Sequence, residues 1–529
     1  MRSLHLLPIL GLVGAAIAAQ TPSAVTDPVR VEQGLLAGTA GRSPDVRVYR
    51  GVPFAAPPVG ELRWKPPQPA APWPGIRQAT QVGNACVQPP YPPNGLIGSS
   101  PPPMSEDCLN LNIWTPAKSA GDRLPVMVWI HGGGFTSGTG AAIGYDGENL
   151  ARKGAVVVTI NYRLGIFGLL ALPELAAESP HHAAGNYALM DQIAALEWVQ
   201  RNIAAFGGDP NRVTVFGQSA GSSSVNILMA SPQARGLFTR AIGESGGSFG
   251  PMESLADAEK QGQQFAARLG ATHDVLQTLR AKNAGDLLKA TTDDDVNTIV
   301  DGWILPQSVY SIFAEGKQND VPLIVGNNAN EGARFPPPNG FVTPAEFIAD
   351  AQKRFGPLSA EFLKAYPPGA TNDEATAGYY ASFRDAGFGW DMRIWARMSV
   401  TTGHRRAFRY YFTRVPPGRG SRLGAFHAAE IAYVFENFPF RISYEDADKQ
   451  LGELISTYWV NFARTGDPNS AGNSATTWPI YDPKKDDVLE FGDQVAVRAR
   501  INAEGLDFFD DYNRSLRPSP PPAPSPKTN

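Results

Sequence analysis

The chain has 529 residues, of which 43% are hydrophobic and 10% aromatic, and this is enough apolar material for a large core. Its formal net charge of −4 gives no reason to expect nucleic acid as a partner. The length alone would allow several domains, but no repeat or linker divides the body of the chain. We therefore expect one large domain with insertions.

The first residues, 1–19, have the features of a signal peptide. Arg2 provides the positive charge, 6–15 the apolar core, and Ala16-Ile17-Ala18 a cleavage signal. The apolar run is too short to cross a bilayer, and no later run approaches the roughly 20 residues that a span requires. We expect an exported protein, secreted or periplasmic, with its folded body at 20–516 and a disordered proline-rich tail at 517–529.

The chain contains two cysteines, Cys86 and Cys108. In an oxidising compartment such a pair predicts one disulfide. Two isolated cysteines without a histidine cluster offer too few ligands for a metal, so no metal site is expected.

Apolar, β-branched runs alternate with a helical pattern along the chain. The runs predict strands at 126–130, 155–162, 213–216, 240–243, 322–326 and 408–412. The segment 189–205 carries apolar residues at helical spacing and predicts a helix. This alternation is typical of an α/β fold, with a mostly parallel sheet covered by helices on both faces.

A basic stretch lies near the last predicted strand. It contains Arg393, Arg397, Arg405, Arg406, Arg409 and Arg414. Because apolar residues interrupt it, the stretch predicts the solvated edges of a helix and a strand rather than a phosphate-binding surface.

Three serines occupy the frame G-x-S-x-G: Ser219, Ser245 and Ser248. In α/β hydrolases this frame holds the nucleophile on a sharp turn from a strand to a helix. Ser219 follows the predicted strand 213–216 and precedes a segment with helical spacing. Ser245 is followed by glycines and a proline that block an immediate helix, and Ser248 has no strand directly before it. Ser219 is the predicted nucleophile.

A serine hydroxyl needs a base to take its proton and an acid to orient that base. In this fold the order along the chain is serine, acid, histidine. Of the later histidines, His427 is favoured because a turn-like segment leads into it. Glu331 follows the predicted strand 322–326 and a polar turn, which places it at the carboxyl end of the sheet. From spacing alone, a solvated glutamate and an unreactive histidine remain alternatives.

The segment His131-Gly132-Gly133-Gly134 directly follows the predicted strand 126–130. An HGGG element in this position supplies backbone N–H groups to the oxygen that becomes negative during acyl transfer. The alternative is a merely flexible loop.

Several longer motifs occur together with these features. They are YRGVPFAAPPVGELRWKPP, SEDCLNLNIWTP, HGGGF, VVVTINYRLGIFGLL, GNYALMDQIAALEWVQRNIAAFGGDPNRVTVFGQSAG, NANEGARF, FHAAEIAYVF and YWVNFARTGDPN. Over nearly the whole mature chain, the sequence resembles the type-B carboxylesterase family of carboxylesterases, lipases and cholinesterases, within the α/β-hydrolase superfamily.

The resemblance implies an α/β-hydrolase fold, with a large, mostly parallel twisted sheet and helices on both faces. It implies a triad of Ser219, Glu331 and His427. The oxyanion hole would comprise Gly133, Gly134 and Ala220. The expected partner is a small-molecule ester, no cofactor is expected, and the oligomeric state is left open.

The resemblance also implies structural contacts. Cys86 and Cys108 match the first disulfide of the family, and Arg63 and Glu106 match an ion pair. Ser245 matches a position near the triad.

Departures from the cholinesterases bear on the substrate. The loop 87–107 has no tryptophan to bind a quaternary ammonium, and Gln218 stands where they have a glutamate. Arg334 stands at their aromatic choline position, so a choline ester is disfavoured. Candidate substrate-binding residues are Arg334, Phe335, Trp390 and Gln218. Pairing at the rim for Arg334 and core packing for the aromatic residues remain alternatives.

We therefore expect a serine carboxylesterase that acts on non-choline esters. The alternatives are an esterase for bulky or polycarboxylate esters of the fumonisin type, or a lipase. An inactive adhesion protein is disfavoured, because the relatives with that role lose the nucleophile and this chain keeps all three triad residues.

Overall fold

The apolar runs form the centre of the fold in the computed structural model, which describes residues 25, 27–90, 102–439, 442–469 and 476–517. The predicted signal peptide and the tail beyond residue 517 lie outside the described residues. The strands are β1 (Val29–Val31), β2 (Gly34–Ala37), β3 (Thr39–Ala40), β4 (Arg47–Pro53), β5 (Ile76–Gln78), β6 (Asn110–Thr115), β7 (Leu124–Ile130), β8 (Val156–Ile160), β9 (Gly208–Gln218), β10 (Arg240–Glu244), β11 (Glu253–Ser254), β12 (Ile299–Val300), β13 (Leu323–Asn328), β14 (Ala407–Phe412), β15 (Asp487–Phe491) and β16 (Val495–Ala499).

The helices lie mainly between the strands of the second half of the chain. They are α1 (Glu148–Arg152), α2 (Gly165–Leu169), α3 (Pro173–Glu178), α4 (Tyr187–Asn202), α5 (Ala220–Ala230), α6 (Leu255–Arg268), α7 (Val275–Ala281), α8 (Ala284–Ala290), α9 (Val309–Ala314), α10 (Pro344–Phe355), α11 (Ser359–Ala365), α12 (Asn372–Arg384), α13 (Trp390–Thr401), α14 (Ile431–Val434), α15 (Asp446–Thr465) and α16 (Ala503–Ser515). No helix in the described part of the chain combines the length and apolarity needed to cross a bilayer.

An 11-stranded sheet organises the molecule, in the order β16-β15-β14-β13-β10-β9-β7-β8-β6-β4-β3. Neighbours from β8 across to β15 run parallel, and antiparallel strands extend both edges. The six predicted strands are β7, β8, β9, β10, β13 and β14, and they are consecutive neighbours in this sheet. The predicted mostly parallel α/β sheet is confirmed.

Strand β9 begins earlier than predicted, at Gly208. Its register against β7 shifts between the pairs that contain Leu124 and Val126, so the first residues of β9 lie along an irregular stretch. Polar residues such as Asp209 and Arg212 occupy that stretch, which is why the apolar pattern did not reveal it.

Both faces of the sheet are buried, so the central strands are apolar without alternation. In β7, Val126 and Val128 join the hydrophobic cluster that includes Leu189 of α4. Met127 and Trp129 join the cluster on the opposite face. The predicted two-sided helical cover is confirmed.

The interpretation of the basic stretch as solvated is wrong for two of its arginines. Arg393 and Arg409 are only 5% and 3% exposed. Nη1 of Arg409 lies 2.9 Å from Oδ1 of Asp486, and Arg393 pairs with Asp507 and Asp510 of α16. Because these acids lie far away in the sequence, local pattern could not show that they neutralise the buried guanidinium groups.

The two predicted structural contacts near the amino-terminal half are present. Cys86 and Cys108 form a disulfide. The Arg63 guanidinium donates to both carboxylate oxygens of Glu106, at 2.7 and 2.5 Å. The Gln88 side chain, close to Cys86, exchanges two hydrogen bonds with the backbone of Gly138, at 2.9 and 2.8 Å. The disulfide therefore anchors a segment that contacts the loop after β7.

Replacing both cysteines with alanine should lower the free energy of unfolding by about 3 kcal/mol, because the unfolded chain regains the entropy of an open loop. Denaturant unfolding under non-reducing conditions measures this loss. Reduction of the wild-type protein is the matched comparison and should lower the midpoint by a similar amount. An unchanged midpoint in the double variant would contradict a stabilising disulfide.

Candidate active site

Ser219 lies on the sharp turn between β9 and α5. Its backbone has φ 57° and ψ −126°, a conformation that residues with a side chain rarely adopt. Its N–H donates to the Glu244 carbonyl oxygen at the end of β10, at 2.8 Å, and its own carbonyl accepts from Ser223 N–H at 2.9 Å. The turn is therefore held from the sheet and from the helix, at the carboxyl end of the parallel strands.

Close packing explains the two flanking glycines. A Cβ atom on Gly221 would come within 2.0 Å of the Ile130 carbonyl oxygen, and one on Gly217 within 2.6 Å of the Gly221 carbonyl. A side chain at either position would push α5 away from the ends of β7 and β9. The frame G-x-S-x-G at Ser219 is thus a packing requirement.

The other two serines in this frame have different surroundings. Ser245 follows β10 but is fully buried, and no helix follows it until α6. Ser248 is half-buried in an irregular segment. Of the three, Ser219 is the one on a strand-to-helix turn.

Glu331 and His427 meet beside this turn. Glu331 begins a short 3₁₀ turn, Glu331–Arg334, three residues after β13 ends, and its side chain is completely buried. Nδ1 of His427 lies 2.6 Å from Oε2 of Glu331. Because a carboxylate accepts, Nδ1 carries the proton and donates, which leaves the Nε2 lone pair available as a base.

Gln218, the residue directly before Ser219, contacts this imidazole. Its amide nitrogen lies 3.5 Å from Nδ1 and 3.2 Å from Nε2 of His427. An atom nearly equidistant from both ring nitrogens lies over the face of the ring, outside the ring plane. The contact therefore packs His427 against the nucleophile's neighbour without using the in-plane lone pair of Nε2.

The glycine loop after β7 lies against the same turn. A Cβ atom on Gly132 would be 3.0 Å from the Ser219 Cβ. Gly133 has φ 116° and Gly134 φ 62°, so both are left-handed and turn the loop sharply. Ala220 is the first residue of α5, where a helix N–H has no partner within the helix. The three backbone positions predicted for an oxyanion hole therefore lie in segments that adjoin Ser219.

His131 supports this loop. Its ring stacks on Tyr162 with centroids 4.5 Å apart, and its Nδ1 lies 2.8 Å from the Gly132 carbonyl oxygen, to which it donates. Burial lowers the pKa of His131 to about 4, so the imidazole is neutral near neutral pH. The Tyr162 hydroxyl donates to the His131 carbonyl at 2.8 Å. These contacts hold the glycine loop in place through His131.

An aromatic wall borders His427. Its ring centroid is 5.6 Å from that of Phe335 and 4.6 Å from that of Phe388, and Phe335 stacks on Phe383 at 5.0 Å. Phe335 is 39% exposed. Phe388 belongs to the π-helical segment Asp385–Gly389, a local irregularity that is frequent at functional sites. The sequence predicted Phe335 but not Phe383 or Phe388. A helical pattern does not signal the π-turn that carries Phe388, and the place of Phe383 on α12 in this wall depends on tertiary packing.

Trp390 and Arg334 lie in different surroundings. Trp390 is buried, and its indole N–H donates to Oδ1 of Asp510 in α16 at 2.8 Å. These contacts are those of a core residue between α13 and α16. Arg334 is exposed at the end of the turn that begins with Glu331, next to Phe335.

Two further buried acids, missed by sequence analysis, flank the acid–base pair. Burial raises the pKa of Glu244, which accepts from the Trp459 indole N–H at 2.8 Å. Burial, and then the neighbouring Glu244 and Glu331, raise the pKa of Glu430 well above its usual range. Each carboxyl group keeps one oxygen without a hydrogen-bond partner. The motifs GESGG and FHAAE contain these residues, but their burial depends on the folded sheet.

Comparison with known proteins identifies the family of the chain. The model of the carboxylesterase family matches residues 26–509. The chain belongs to this family. It is a carboxylic ester hydrolase by this membership, and relatives named as esterases support the same activity.

Two relatives from bacteria and one from mouse illustrate the similarity. The chain is 37% identical to fumonisin B1 esterase of Sphingopyxis macrogoltabida, over 94% of this chain and 91% of that one. It is 35% identical to carboxylesterase 1F of Mus musculus, over 91% and 92%. It is 34% identical to para-nitrobenzyl esterase of Bacillus subtilis (strain 168), over 89% and 95%.

The fold agrees with a solved structure titled PNB esterase. The TM-score is 0.77 at 32% identity, with 92% of this chain and 100% of that one covered. The α/β-hydrolase fold is confirmed.

Replacing Glu244 with glutamine should change how stability depends on pH. An unfolded glutamate ionises near pH 4.3, but the folded carboxyl keeps its proton to higher pH. Between pH 4.3 and neutrality the folded state therefore binds more protons, and this group lowers the free energy of unfolding as the pH rises. Glu244→Gln keeps an acceptor for Trp459 and removes the titration, so its stability relative to wild type should increase from pH 4.5 to 7.

Denaturant unfolding at several pH values measures this difference, with Glu361→Gln on the exposed face of α11 as the control. A Glu244→Gln difference that stays constant with pH would contradict the raised pKa.

Proposed function

We propose that this carboxylesterase-family chain hydrolyses non-choline carboxylic esters through an acyl-enzyme on Ser219. The observation that carries the proposal is the buried Glu331–His427 pair, 2.6 Å between Oε2 and Nδ1, beside the turn that presents Ser219. Ester hydrolysis by this family requires an activated nucleophile, and no other G-x-S-x-G serine of the chain lies on such a turn.

In the first half-reaction, His427 takes the proton of the Ser219 hydroxyl through Nε2 while Oγ attacks the ester carbonyl carbon. Glu331 holds the imidazole by its Nδ1–H and stabilises the positive charge that forms on it. The imidazolium then gives its proton to the leaving alkoxide. In the second half-reaction His427 takes a proton from a water, which attacks the acyl carbon. The imidazolium then returns this proton to Ser219 Oγ as the acid leaves.

The negative oxygen of each tetrahedral intermediate is stabilised by the N–H groups of Gly133, Gly134 and Ala220. Donors that already point at this position cost no reorganisation during the reaction. The packing of Gly132 against the Ser219 Cβ and the support of the loop by His131 favour this assignment.

The departures from the cholinesterases support a non-choline substrate. Gln218 places a neutral amide where a carboxylate would attract a cation, and Arg334 is positively charged. The exposed ring of Phe335 beside His427 favours esters with an apolar group near the base. We also propose that the protein is located in an oxidising compartment, either secreted or periplasmic. The Cys86–Cys108 disulfide supports this location.

Replacing Ser219 with alanine should lower kcat by on the order of 10⁴-fold, because the triad acts as a unit. Hydrolysis of a series of p-nitrophenyl esters of increasing chain length measures the loss and also separates an esterase from a lipase. Ser245→Ala and Ser248→Ala are the matched variants, since both lie in the same sequence frame. Full activity in Ser219→Ala, with loss in either of the others, would identify a different nucleophile.

A second candidate substrate class is an ester that carries additional carboxylates. Two observations favour it: the 37% identity to a protein named fumonisin B1 esterase, and the exposed Arg334 on the turn that starts with the triad acid. A guanidinium binds a carboxylate by two parallel hydrogen bonds, which adds both energy and orientation.

Replacing Arg334 with alanine tests this candidate. KM for a tricarboxylate ester should rise on the order of tenfold, the loss of one charge-assisted contact of about 1.5 kcal/mol, while KM for a neutral short-chain ester changes little. Arg354→Ala, an exposed arginine of α10, is the control. Equal effects of Arg334→Ala on KM for the anionic and neutral esters would exclude the binding of a substrate carboxylate by Arg334.

A further inference from the structure

We propose that Asn328 is a positioning residue that aligns the acid with the base, by tying Glu331 to the segment that carries His427. The inference rests on the proposed function, because it assumes that Glu331 and His427 act in catalysis. Asn328 is the last residue of β13 and is completely buried.

Asn328 contacts both the acid, Glu331, and the segment that carries the base, His427. Its backbone N–H donates to Oε1 of Glu331 at 2.7 Å. Its side-chain nitrogen donates to the carbonyl oxygen of Phe426, the residue before His427, at 2.8 Å. The same nitrogen donates to Oε2 of Glu430 at 2.5 Å. Asn328 therefore connects the carboxylate of Glu331 to residues that precede and follow His427 in the sequence.

The first of these bonds fixes the orientation of the carboxylate. The last torsion of a glutamate side chain is broad, so one hydrogen bond alone would allow the group to rotate. Here Oε2 of Glu331 faces His427 and Oε1 faces the Asn328 N–H, so both oxygens have a partner. The plane of the carboxylate is thereby set by the end of β13, a rigid part of the sheet.

The side-chain bonds fix the distance between the two segments. Asn330 makes a parallel connection, since its N–H donates to the Ala425 carbonyl and its Oδ1 accepts from the Ala425 N–H, both at 2.9 Å. Asn330 thus holds the backbone of Ala425 with both its own backbone and its side chain. Asn328 differs because the residue that holds the base segment also holds the acid, so loss of its amide should let the acid shift relative to the base.

The chain offers a control with a similar local chemistry. Asn319 is also buried, and its side-chain nitrogen also donates two bonds, to the Leu228 and Ser231 carbonyl oxygens, both at 2.9 Å. It precedes the amino end of β13, whereas Asn328 stands at the carboxyl end. Replacing either amide removes two buried hydrogen bonds, but only one of them adjoins the acid.

The test compares Asn328→Ala with Asn319→Ala in the full-length protein, by steady-state hydrolysis of one p-nitrophenyl ester and by thermal unfolding. A displaced acid–base pair should lower kcat on the order of 10- to 100-fold with little change in KM. Asn319→Ala should lose comparable stability and keep its kcat. A kcat for Asn328→Ala within twofold of wild type, or an equal loss in Asn319→Ala, would overturn the proposal.

Asn328→Leu provides a second variant of nearly the same size, in case the alanine variant does not fold. A leucine keeps the backbone bond to Glu331 but cannot donate to Phe426 or Glu430, so the same loss of kcat is expected; a wild-type kcat would overturn the proposal. Ser219→Ala in the same assay distinguishes a failure of the proposed function from a failure of the positioning role. Full activity there refutes the proposed nucleophile, whereas an inactive Ser219→Ala beside an unaffected Asn328→Ala refutes the positioning role alone.

Discussion

The backbone of Ser219 adopts φ 57° and ψ −126°, a conformation that costs on the order of 1–3 kcal/mol for a residue with a side chain. Such a conformation persists only where the surrounding structure requires it. Here the Ser219 N–H is held by the Glu244 carbonyl at the end of β10, the Ser219 carbonyl accepts from the Ser223 N–H, and α5 packs directly on the Ile130 carbonyl oxygen at Gly221. The parallel sheet therefore determines where the candidate nucleophile stands, and the glycine loop after β7 and the acid and base after β13 and β14 are arranged around it.

The polar groups behind the site illustrate a second constraint. Glu244, Glu331 and Glu430 are all buried, and three negative charges packed together in a low dielectric would repel one another strongly. The raised pKa values of Glu244 and Glu430 mean that these two groups keep their protons over a wider pH range than exposed carboxyl groups do. This reduces the negative charge around the acid that faces His427. Burial thus contributes to the electrostatics of the pair as well as to its rigidity.

The features that can be predicted from the sequence are those in which local pattern and tertiary environment agree. The central strands are apolar because both sheet faces are buried, and the serine turn needs its glycines, so both features could be predicted. Features that depend on interaction partners from distant segments of the chain cannot be predicted in this way. The burial of Arg393 and Arg409 is one such feature, because the aspartates that neutralise them lie in the turn before β15 and in α16. Phe388 was missed because a π-turn is not visible in a helical pattern, and the burial of Glu430 depends on where β10, β13 and β14 meet.

The proposed mechanism requires that Ser219 is the residue that becomes acylated. The most direct measurement is the mass of the modified peptide after reaction with a fluorophosphonate, a phosphorus ester that transfers covalently to activated serines. A single adduct on the peptide containing Ser219 is expected, and this adduct should be lost in His427→Ala. An adduct on Ser245 or Ser248, or unchanged labelling of Ser219 without His427, would contradict it.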